Sequence, residues 1–527
     1  MAKILVADPL AEDGLERLRR AGEVTVVSKL GESELVQRIP DFDALVVRSE
    51  TRVTAPIIEA GARLRVVGRA GVGVDNIDVP AATRRGILVV NAPRGNIVAA
   101  AEHTMALLFA LARSVPQADA SVKRGEWTRA KFIGTEVRGK TLGVIGLGNV
   151  GSEVAKRAHG VEMDVIAYDP VVSVERAELF NVSLVTLAEL LEQADFVTLH
   201  VPLVESNRNL IGAAELALMK PTARLINTAR GGIVDEAALA AALRAGTLAA
   251  AAADVFETEP PGDNPLLALP NFIATPHIAA STTEAQVSVA FDVAEEVAAV
   301  LAGDLPRFAV NAPALPPEEL AFLRPFADLI ERLAALHAQL FGGRPSAIEL
   351  DFEGELAEHD VSLLIASAIK GVLQPFTEER INAVNARLIA SNRGIRLVER
   401  RSRAHSSYAS LITVRMQEHE IAGTVLMGEL RAVRIDSFRV DLVPDGRFLV
   451  SRHEDRPGVV GKVGSILGEH DVNIASMQVG RDAPRGNAMM ILAVDDRVAP
   501  ELLDRLREVD GMADLRYVEL GGGNSHA

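Results

Sequence analysis

The stretch Val137–Pro170, VRGKTLGVIGLGNVGSEVAKRAHGVEMDVIAYDP, constrains the fold more than any other part of the chain. The apolar run Thr141–Ile145 leads into Gly146-x-Gly148-x-x-Gly151, and a helix-forming segment follows to about Gly160. A second apolar run, Asp164–Tyr168, ends at Asp169. Strand, glycine turn, helix, strand and terminal acid are the context that a dinucleotide-binding fingerprint requires. Gly146 permits the tight turn, Gly148 lets the backbone approach a pyrophosphate, and Gly151 lets the helix pack closely on the sheet. The helix N-terminus then faces the phosphate charge. Asp169 is placed to accept hydrogen bonds from adenosine ribose hydroxyls and to repel a 2′-phosphate. No Arg follows it directly, so NAD is expected over NADP.

The rest of the chain must accommodate that unit. A length of 527 residues suggests roughly three or four domains of ~150 residues each. Hydrophobic content of 48% beside 24% charged residues describes a globular chain with ample core. A net charge of −16 argues against nucleic acid or an anionic membrane as partner, though a few local Arg residues still suit anionic substrates. The absence of cysteine removes disulfides, thiolate metal sites and a Cys nucleophile together. No metal site is expected. The start, MAKILVADPL, is too short and too soon charged for a signal peptide. The Ala-rich run Leu248–Ala253 is no membrane span, because Asp254 and Glu257 follow at once. A cytoplasmic enzyme is the default expectation.

Lys3–Ala7, Val24–Val27, Ala44–Val47 and Leu64–Val67 are short apolar runs, with helix-period segments such as Ala11–Arg20 and Ser33–Ile39 between them. That alternation predicts βαβ units in a parallel sheet. Arg48 and Arg69 fall at or just past two strand ends, where open α/β sheets hold ligands. Behind Arg69, Ala70-Gly71-Val72-Gly73-Val74-Asp75 lacks a third glycine and is expected to show backbone N–H groups to a small anion. Asn91–Asn96 predicts a loop and Ala99–Arg113 a long apolar helix carrying His103, which is expected simply to pack there. Strands at Phe196–Leu199, Leu225–Asn227 and Phe272–Ala274 continue the fingerprint domain, and the helical stretch Thr282–Ala302 is expected to return to the first domain.

Pro-rich Asn311–Pro317 marks a boundary, and a second falls near Pro444-Asp-Gly446. Between them lie helix-like Pro317–Leu340, strand-like Ala347–Phe352 and mixed patterns. The last piece reads strand Arg447–Arg452, helix Gly458–His470, strand Asn473–Val479, strand Asn487–Ala493, helix Pro500–Glu508 and strand Ala513–Glu519, a β-α-β-β-α-β unit. The tail beyond Gly521 is expected to be disordered. The expected fold is therefore α/β. It has two Rossmann-like doubly wound domains, a discontinuous one over 1–98 and 281–306 and a cofactor domain over 99–280. An α+β domain over 311–443 and the βαββαβ unit over 447–519 follow.

Three segments carry residues that packing alone does not require. Leu225-Ile-Asn-Thr-Ala-Arg-Gly-Gly232 sets an Arg beside two glycines, Asp254-Val-Phe-Glu-Thr-Glu-Pro260 sets acids after a strand, and Thr275-Pro-His-Ile-Ala-Ala280 sets a His after the next. All three follow strand C-termini, so they converge on one crevice. An Arg grips a carboxylate bidentately. A His passes a proton to or from a hydroxyl or carbonyl oxygen while hydride moves, and a Glu beside it fixes its orientation. Arg, Glu and His are what oxidation of a 2-hydroxy acid needs.

With these motifs, and with GRAGVGVDNID at Gly68–Asp78, NAPRGN, AEHT and TPHIAAST, the whole chain resembles the D-isomer-specific 2-hydroxyacid dehydrogenase family. Within it, the chain resembles the long-form D-3-phosphoglycerate dehydrogenases. The resemblance implies that Arg230 binds the substrate carboxylate and that Glu259, not Glu257, pairs with His277 as acid/base. It implies that NAD is held by Gly146, Gly148, Asn149, Val150, Gly151, Asp169, Thr228, Ala229 and Arg230. Asp254 is implied near the nicotinamide amide, with His277 and Ile278, Ala279 and Ala280 closing the site. Val72 and Val201 match cofactor-lining positions, without the hydroxyl that some relatives have there. Arg48 and Arg69 are implied at the substrate phosphate, Gly71, Val72 and Gly73 elsewhere along the substrate, and Arg129 across a dimer interface.

The βαββαβ unit resembles an ACT domain. In serine-sensitive relatives, residues at the positions of His453, Asp455 and Asn473 bind L-serine between two such domains. The 311–443 piece resembles an intervening domain that can hold an anion. Arg393, Arg396 and Arg400–Arg403 are available for that, although a solvated basic face is expected. The implied activity is NAD-dependent oxidation of D-3-phosphoglycerate to 3-phosphohydroxypyruvate, the entry to serine synthesis, in a homotetramer. Reduction of 2-oxoglutarate occurs in some relatives. The rivals are a dehydrogenase for another 2-hydroxy acid, such as glyoxylate or hydroxypyruvate, and an NAD-sensing corepressor-like protein.

Overall fold

Short apolar runs separated by helix-period segments form parallel strands in the computed structural model, which describes residues 1–521 apart from 29, 314, 343, 344, 405 and 406. The first sheet holds β1 (Ala2–Val6), β2 (Gly22–Val26), β3 (Ala44–Val47), β4 (Val66–Arg69) and β5 (Leu88–Asn91), in the order β2-β1-β3-β4-β5. Every neighbouring pair is parallel. Strand order reverses between β1 and β3, which opens a crevice beyond their C-terminal ends. Asp8 and Arg48 lie there. Asn91, expected in a loop, instead closes β5.

The second sheet holds β6 (Thr141–Ile145), β7 (Asp164–Tyr168), β8 (Ser183–Leu184), β9 (Phe196–Leu199), β10 (Arg224–Asn227), β11 (Ala250–Ala253) and β12 (Phe272–Ala274). Its order is β12-β11-β10-β9-β6-β7-β8, parallel throughout, with the reversal between β6 and β9. The Ala-rich run is β11, an inner strand whose small side chains leave room for covering helices. The helix Ile97–Arg113 lays Met105, Leu108 and Leu111 against Leu142, Val144 and Val165 of this sheet.

The chain then returns. The helix Thr283–Ala302 buries Val293 and Val297 with Ile4, Val46 and Val66 of the first sheet. Each such valine contributes about 1.5–3 kcal/mol. The fit is close: a Cβ at Gly68 of β4 would come within 2.8 Å of both valines, and one at Gly14 would meet the Ala290 carbonyl at 2.7 Å. Asn311, expected to open a linker, is clamped to the first domain. Its Oδ1 accepts from Val89 N, and its Nδ2 donates to Ile87 O and Thr83 Oγ1.

Beyond it, the helices Pro317–Phe341 and Ser362–Leu373 cover a six-stranded sheet. The strands are β13 (Ala347–Gly354), β14 (Arg396–Ser402), β15 (Ser410–Met416), β16 (His419–Leu426), β17 (Glu429–Ile435) and β18 (Phe438–Leu442), in the order β14-β13-β15-β16-β17-β18. The last unit has β19 (Gly446–Glu454), β20 (Ile474–Arg481), β21 (Asn487–Val494) and β22 (Met512–Leu520), in the antiparallel order β20-β21-β19-β22. The helices Val459–Glu469 and Pro500–Arg507 pack on one of its faces. The fold is α/β, with two doubly wound parallel sheets and two α+β units. The expectation for the tail falls on 522–527, outside the described residues. Among the described residues, no single helix is long and apolar enough to cross a membrane.

Candidate active site

The glycine turn follows β6 at the point where the second sheet reverses. Gly146 has φ +93°, a conformation other residues rarely take, and a Cβ there would meet His200 O and Val201 Cγ1 at 2.7 Å. A Cβ at Gly151 would overlap the Gly146 carbonyl. The helix Asn149–Gly160 therefore starts directly against the turn, with no side chain capping its first N–H groups. Gly148 faces open space. Asp169 accepts from Leu147 N at 2.9 Å and from Val171 N and Val172 N at 2.9 and 3.1 Å, tying the turn to the end of β7. A cradle that side chains would fill, free helix N–H groups and a terminal carboxylate fit a dinucleotide pyrophosphate and ribose. Behind the turn, His200 Nε2 lies 3.0 Å from Thr198 Oγ1, and desolvation lowers its pKa to about 3.

β10, β11 and β12 are neighbours, so the segments that follow them emerge side by side. His277 Nδ1 lies 2.7 Å from Glu259 Oε2, while Glu259 Oε1 accepts from Phe256 N at 3.0 Å. The acid is thus fixed by its own loop, and it fixes the ring. Glu257 points elsewhere, pairing with Arg208 at 3.2 Å. His277 has φ +54°, held by its own N–H to Asp254 O at 2.9 Å. The Asp254 side chain faces inward. It is fully buried and accepts from Thr275 Oγ1, Ile278 N and Ala279 N at 2.6–2.9 Å. Burial pushes this carboxyl up, but the hydrogen bonds from His103, Thr275 and the two backbone N–H groups outweigh it and hold the pKa below the usual range. Asp254 is the anchor of the His277 loop.

His103 packs from its helix as expected, yet it reaches this anchor, with Nε2 3.1 Å from Thr275 Oγ1 and 3.4 Å from Asp254 Oδ1. Thr228 Oγ1 bonds Thr104 Oγ1 at 2.8 Å. Asn227, inside the Leu225–Gly232 segment but given no role there, accepts from Ala229 N and donates to Arg230 O, shaping the turn that presents Arg230. Its position as the first residue of NTARGG was the available signal.

Across the cleft, Asp8 is 2% exposed and accepts from Arg48 N, Thr51 N and Thr51 Oγ1 at 2.5, 3.2 and 2.6 Å. Asn76 Nδ2 donates to Arg48 O and Thr51 O. Both shape the loop behind Arg48; Asn76 lies in the Gly68–Asp78 motif without a role read for it, and Asp8 lies in none. Arg69 has a buried Nε without a partner. Burial, then the charges of Arg230 and Arg48, lower its pKa to about 10. An anion would relieve both. The glycines beside it also serve the packing of side chains. Gly71 N donates to Arg69 O at 2.9 Å, and a Cβ at Gly71 or Gly73 would overlap the Arg69 or Arg230 guanidinium. They make room for arginines. Val72 O accepts from Asn91 Nδ2, holding that loop to β5.

Arg129 lies on the exposed 3-10 turn Arg129–Phe132. His453 and Asn473 sit at opposite ends of the ACT-like sheet. Register pairs His453 with Ala488 and Ile474 with Val494, whose β19 partner is Arg447. Six residues of strand span about 20 Å, so one sheet cannot bring His453 and Asn473 to one small ligand. Asp455 borders a groove of about 530 Å³ and pairs with Arg481 at 3.3 Å. The basic run of the intervening unit is neutralised locally: Arg393 pairs with Glu379, Arg400 with Glu349 and Asp351, Arg401 with Glu399 and Arg403 with Glu358. Among the described residues, no group of three His, Asp or Glu side chains could hold a metal ion.

Comparison with known proteins agrees with this layout. The NAD binding domain model of the D-isomer specific 2-hydroxyacid dehydrogenases matches residues 105–279. The D-3-phosphoglycerate dehydrogenase intervening domain matches 322–436, and the ACT domain matches 447–511. The D-3-phosphoglycerate dehydrogenase of Synechocystis is 47% identical over 99% of this chain and 95% of its own. That of Archaeoglobus fulgidus is 46% identical over 98% and 100%. The chain belongs to the D-3-phosphoglycerate dehydrogenase family. Among solved structures, the D-lactate dehydrogenase of Aquifex aeolicus complexed with NAD and lactic acid matches with a TM-score of 0.54 and 27% identity. It covers 59% of this chain and 99% of its own. The two C-terminal units are what this family member carries beyond the part shared with that enzyme.

Proposed function

We propose that the chain oxidises D-3-phosphoglycerate to 3-phosphohydroxypyruvate with NAD, the entry to serine synthesis. One observation carries the choice of substrate. Arg69, with an unpartnered buried Nε, is crowded by Arg48 and Arg230 on a cleft that also holds the His277–Glu259 pair. Such a cleft asks for a small ligand with an anion at each end. NAD, held by the Gly146–Gly151 turn and Asp169, would supply the hydride acceptor for C2. His277 takes the C2 hydroxyl proton, and Glu259 holds its ring in place. Arg230 grips the carboxylate, while Arg48 and Arg69 hold the phosphate. Asp254 keeps the His277 loop from shifting.

Reduction of 3-phosphohydroxypyruvate by NADH, measured beside unphosphorylated hydroxypyruvate, tests the reading. The expected kcat/KM ratio is on the order of 100 or more, from two charge-assisted phosphate contacts at about 1.5–3 kcal/mol each. A ratio near one removes the phosphate seat and leaves a general 2-hydroxy acid dehydrogenase. L-Serine is the expected effector of the ACT unit, shared between the Asn473 end of one copy and the His453 end of another. A multimer, a homotetramer by family, agrees with the exposed apolar side chains Val115, Val122, Trp127 and Ile133 around Arg129. A cytoplasmic location goes with this function.

A further inference from the structure

Two of the three side-chain nitrogens of Arg230 already have partners. Its Nε bonds Asp75 Oδ2 at 3.1 Å, and its Nη1 donates to Ala229 O at 2.7 Å. Its Nη2 lies so close to Gly73 that a Cβ there would overlap it. Arg230 belongs to the cofactor domain and Asp75 to the glycine loop of the first domain, so this ion pair crosses the cleft. The Asp75 side chain is 73% exposed. A carboxylate that merely held Arg230 in working order would be expected to sit inside and take more than one hydrogen bond, as Asp8 and Asp254 do. Asp75 takes one and remains in water.

We infer that Asp75 is a positioning residue that holds Arg230 and yields it to the substrate carboxylate. The inference rests on the reading of Arg230 as the carboxylate seat. An Asp carboxylate and a 2-oxo or 2-hydroxy acid carboxylate offer the same two oxygens to a guanidinium, so they exclude each other at Nε. Exposure keeps the internal pair weak and exchangeable. The exchange also spans the domains: losing Asp75 frees the glycine loop from the cofactor domain as the ligand bridges the two instead. Asp75 further adds a negative charge where a ligand bringing a carboxylate and a phosphate must enter, so it lowers affinity for any carboxylate there.

The test is Asp75→Asn, with Asp75→Glu as the conservative control. Oxalate is the probe, as a dicarboxylate inhibitor without phosphate. Asp75→Asn is expected to lower the Michaelis constants for hydroxypyruvate and its phosphorylated form, and the inhibition constant of oxalate, by roughly two- to five-fold each, with a smaller change in kcat. Asp75→Glu should stay near the parent. An increase or no change in the Michaelis constants and in the oxalate constant overturns the inference. Arg230→Lys separates its failure from that of the underlying reading. If that variant binds oxalate as the parent does, the carboxylate seat itself is misassigned. If it binds oxalate weakly while Asp75→Asn has no effect, only the positioning role falls.

Discussion

His277 occupies a left-handed backbone conformation that a non-glycine residue keeps only when its surroundings enforce it. Asp254 does so through the loop's own N–H groups, and Glu259 then sets the ring. Replacing His277 with Asn is therefore expected to lower kcat by about 10²–10⁴ while NADH affinity, measured by fluorescence titration, changes little. Retained turnover within a few-fold would discard the acid/base role. His200 makes a separate statement about stability. Its folded pKa of about 3 lies below the ordinary 6.5, so the unfolded chain binds a proton that the folded chain refuses between those values. Stability from this group is full above pH 6.5 and falls as pH drops, by on the order of 2 kcal/mol at pH 5. Urea titrations of the parent and His200→Asn at pH 7.5 and pH 5 check the sign: the variant should lose less on acidification.

At the level of elements, the proposed catalytic groups meet because three parallel strands stand side by side and their following turns are held at fixed spacing. Gly231 sets one spacing. A Cβ there would overlap the Phe256 carbonyl, which is backbone and cannot swing aside. Gly231→Ala should push the Arg230 turn away from the Glu259 loop. A fall of at least tenfold in kcat/KM with NADH binding retained is the expected result; unchanged kinetics would show that the two turns move independently. The strands themselves were legible in the sequence, since alternating apolar runs and Gly or acid punctuation announce them. Their adjacency was not. The order β12-β11-β10 sets the acid-bearing loop beside His277, and contacts inside that loop turn Glu259 to the ring and Glu257 to Arg208, the choice that family resemblance implied and spacing alone did not.

For the whole molecule, all residues assigned to the reaction precede residue 281, and solved relatives covered almost end to end match only 58–59% of this chain. A chain ending at Asn311, the residue clamped to β5, should still reduce 3-phosphohydroxypyruvate and should lose any response to L-serine. Contacts such as Asn382 Nδ2 to Gly86 O, 2.7 Å, join the intervening unit to the first domain and give a route by which the C-terminal units bear on it. The separation of His453 from Asn473 makes a further prediction. Mixed oligomers of His453→Ala and Asn473→Ala subunits should recover part of a serine response that each variant alone lacks. No recovery would mean that the effector does not bridge two sheets.

The doubly wound cofactor unit, the order of the domains and the family were legible in the chain, with Arg230, Glu259 and His277 as candidates. Those features depend on local patterns: apolar period, glycine at a turn, an acid at a strand end. Only the tertiary structure decided what surrounds them. Asp8, Asn76 and Asp254 position loops through hydrogen bonds to residues 21 to 43 positions away in the chain, and no local pattern marks a residue for such a bond. Spacing shows the missing side chains at Gly71 and Gly73 and not what fills the space. Two guanidinium groups fill it, brought from opposite sides of a cleft that exists only once both sheets have formed.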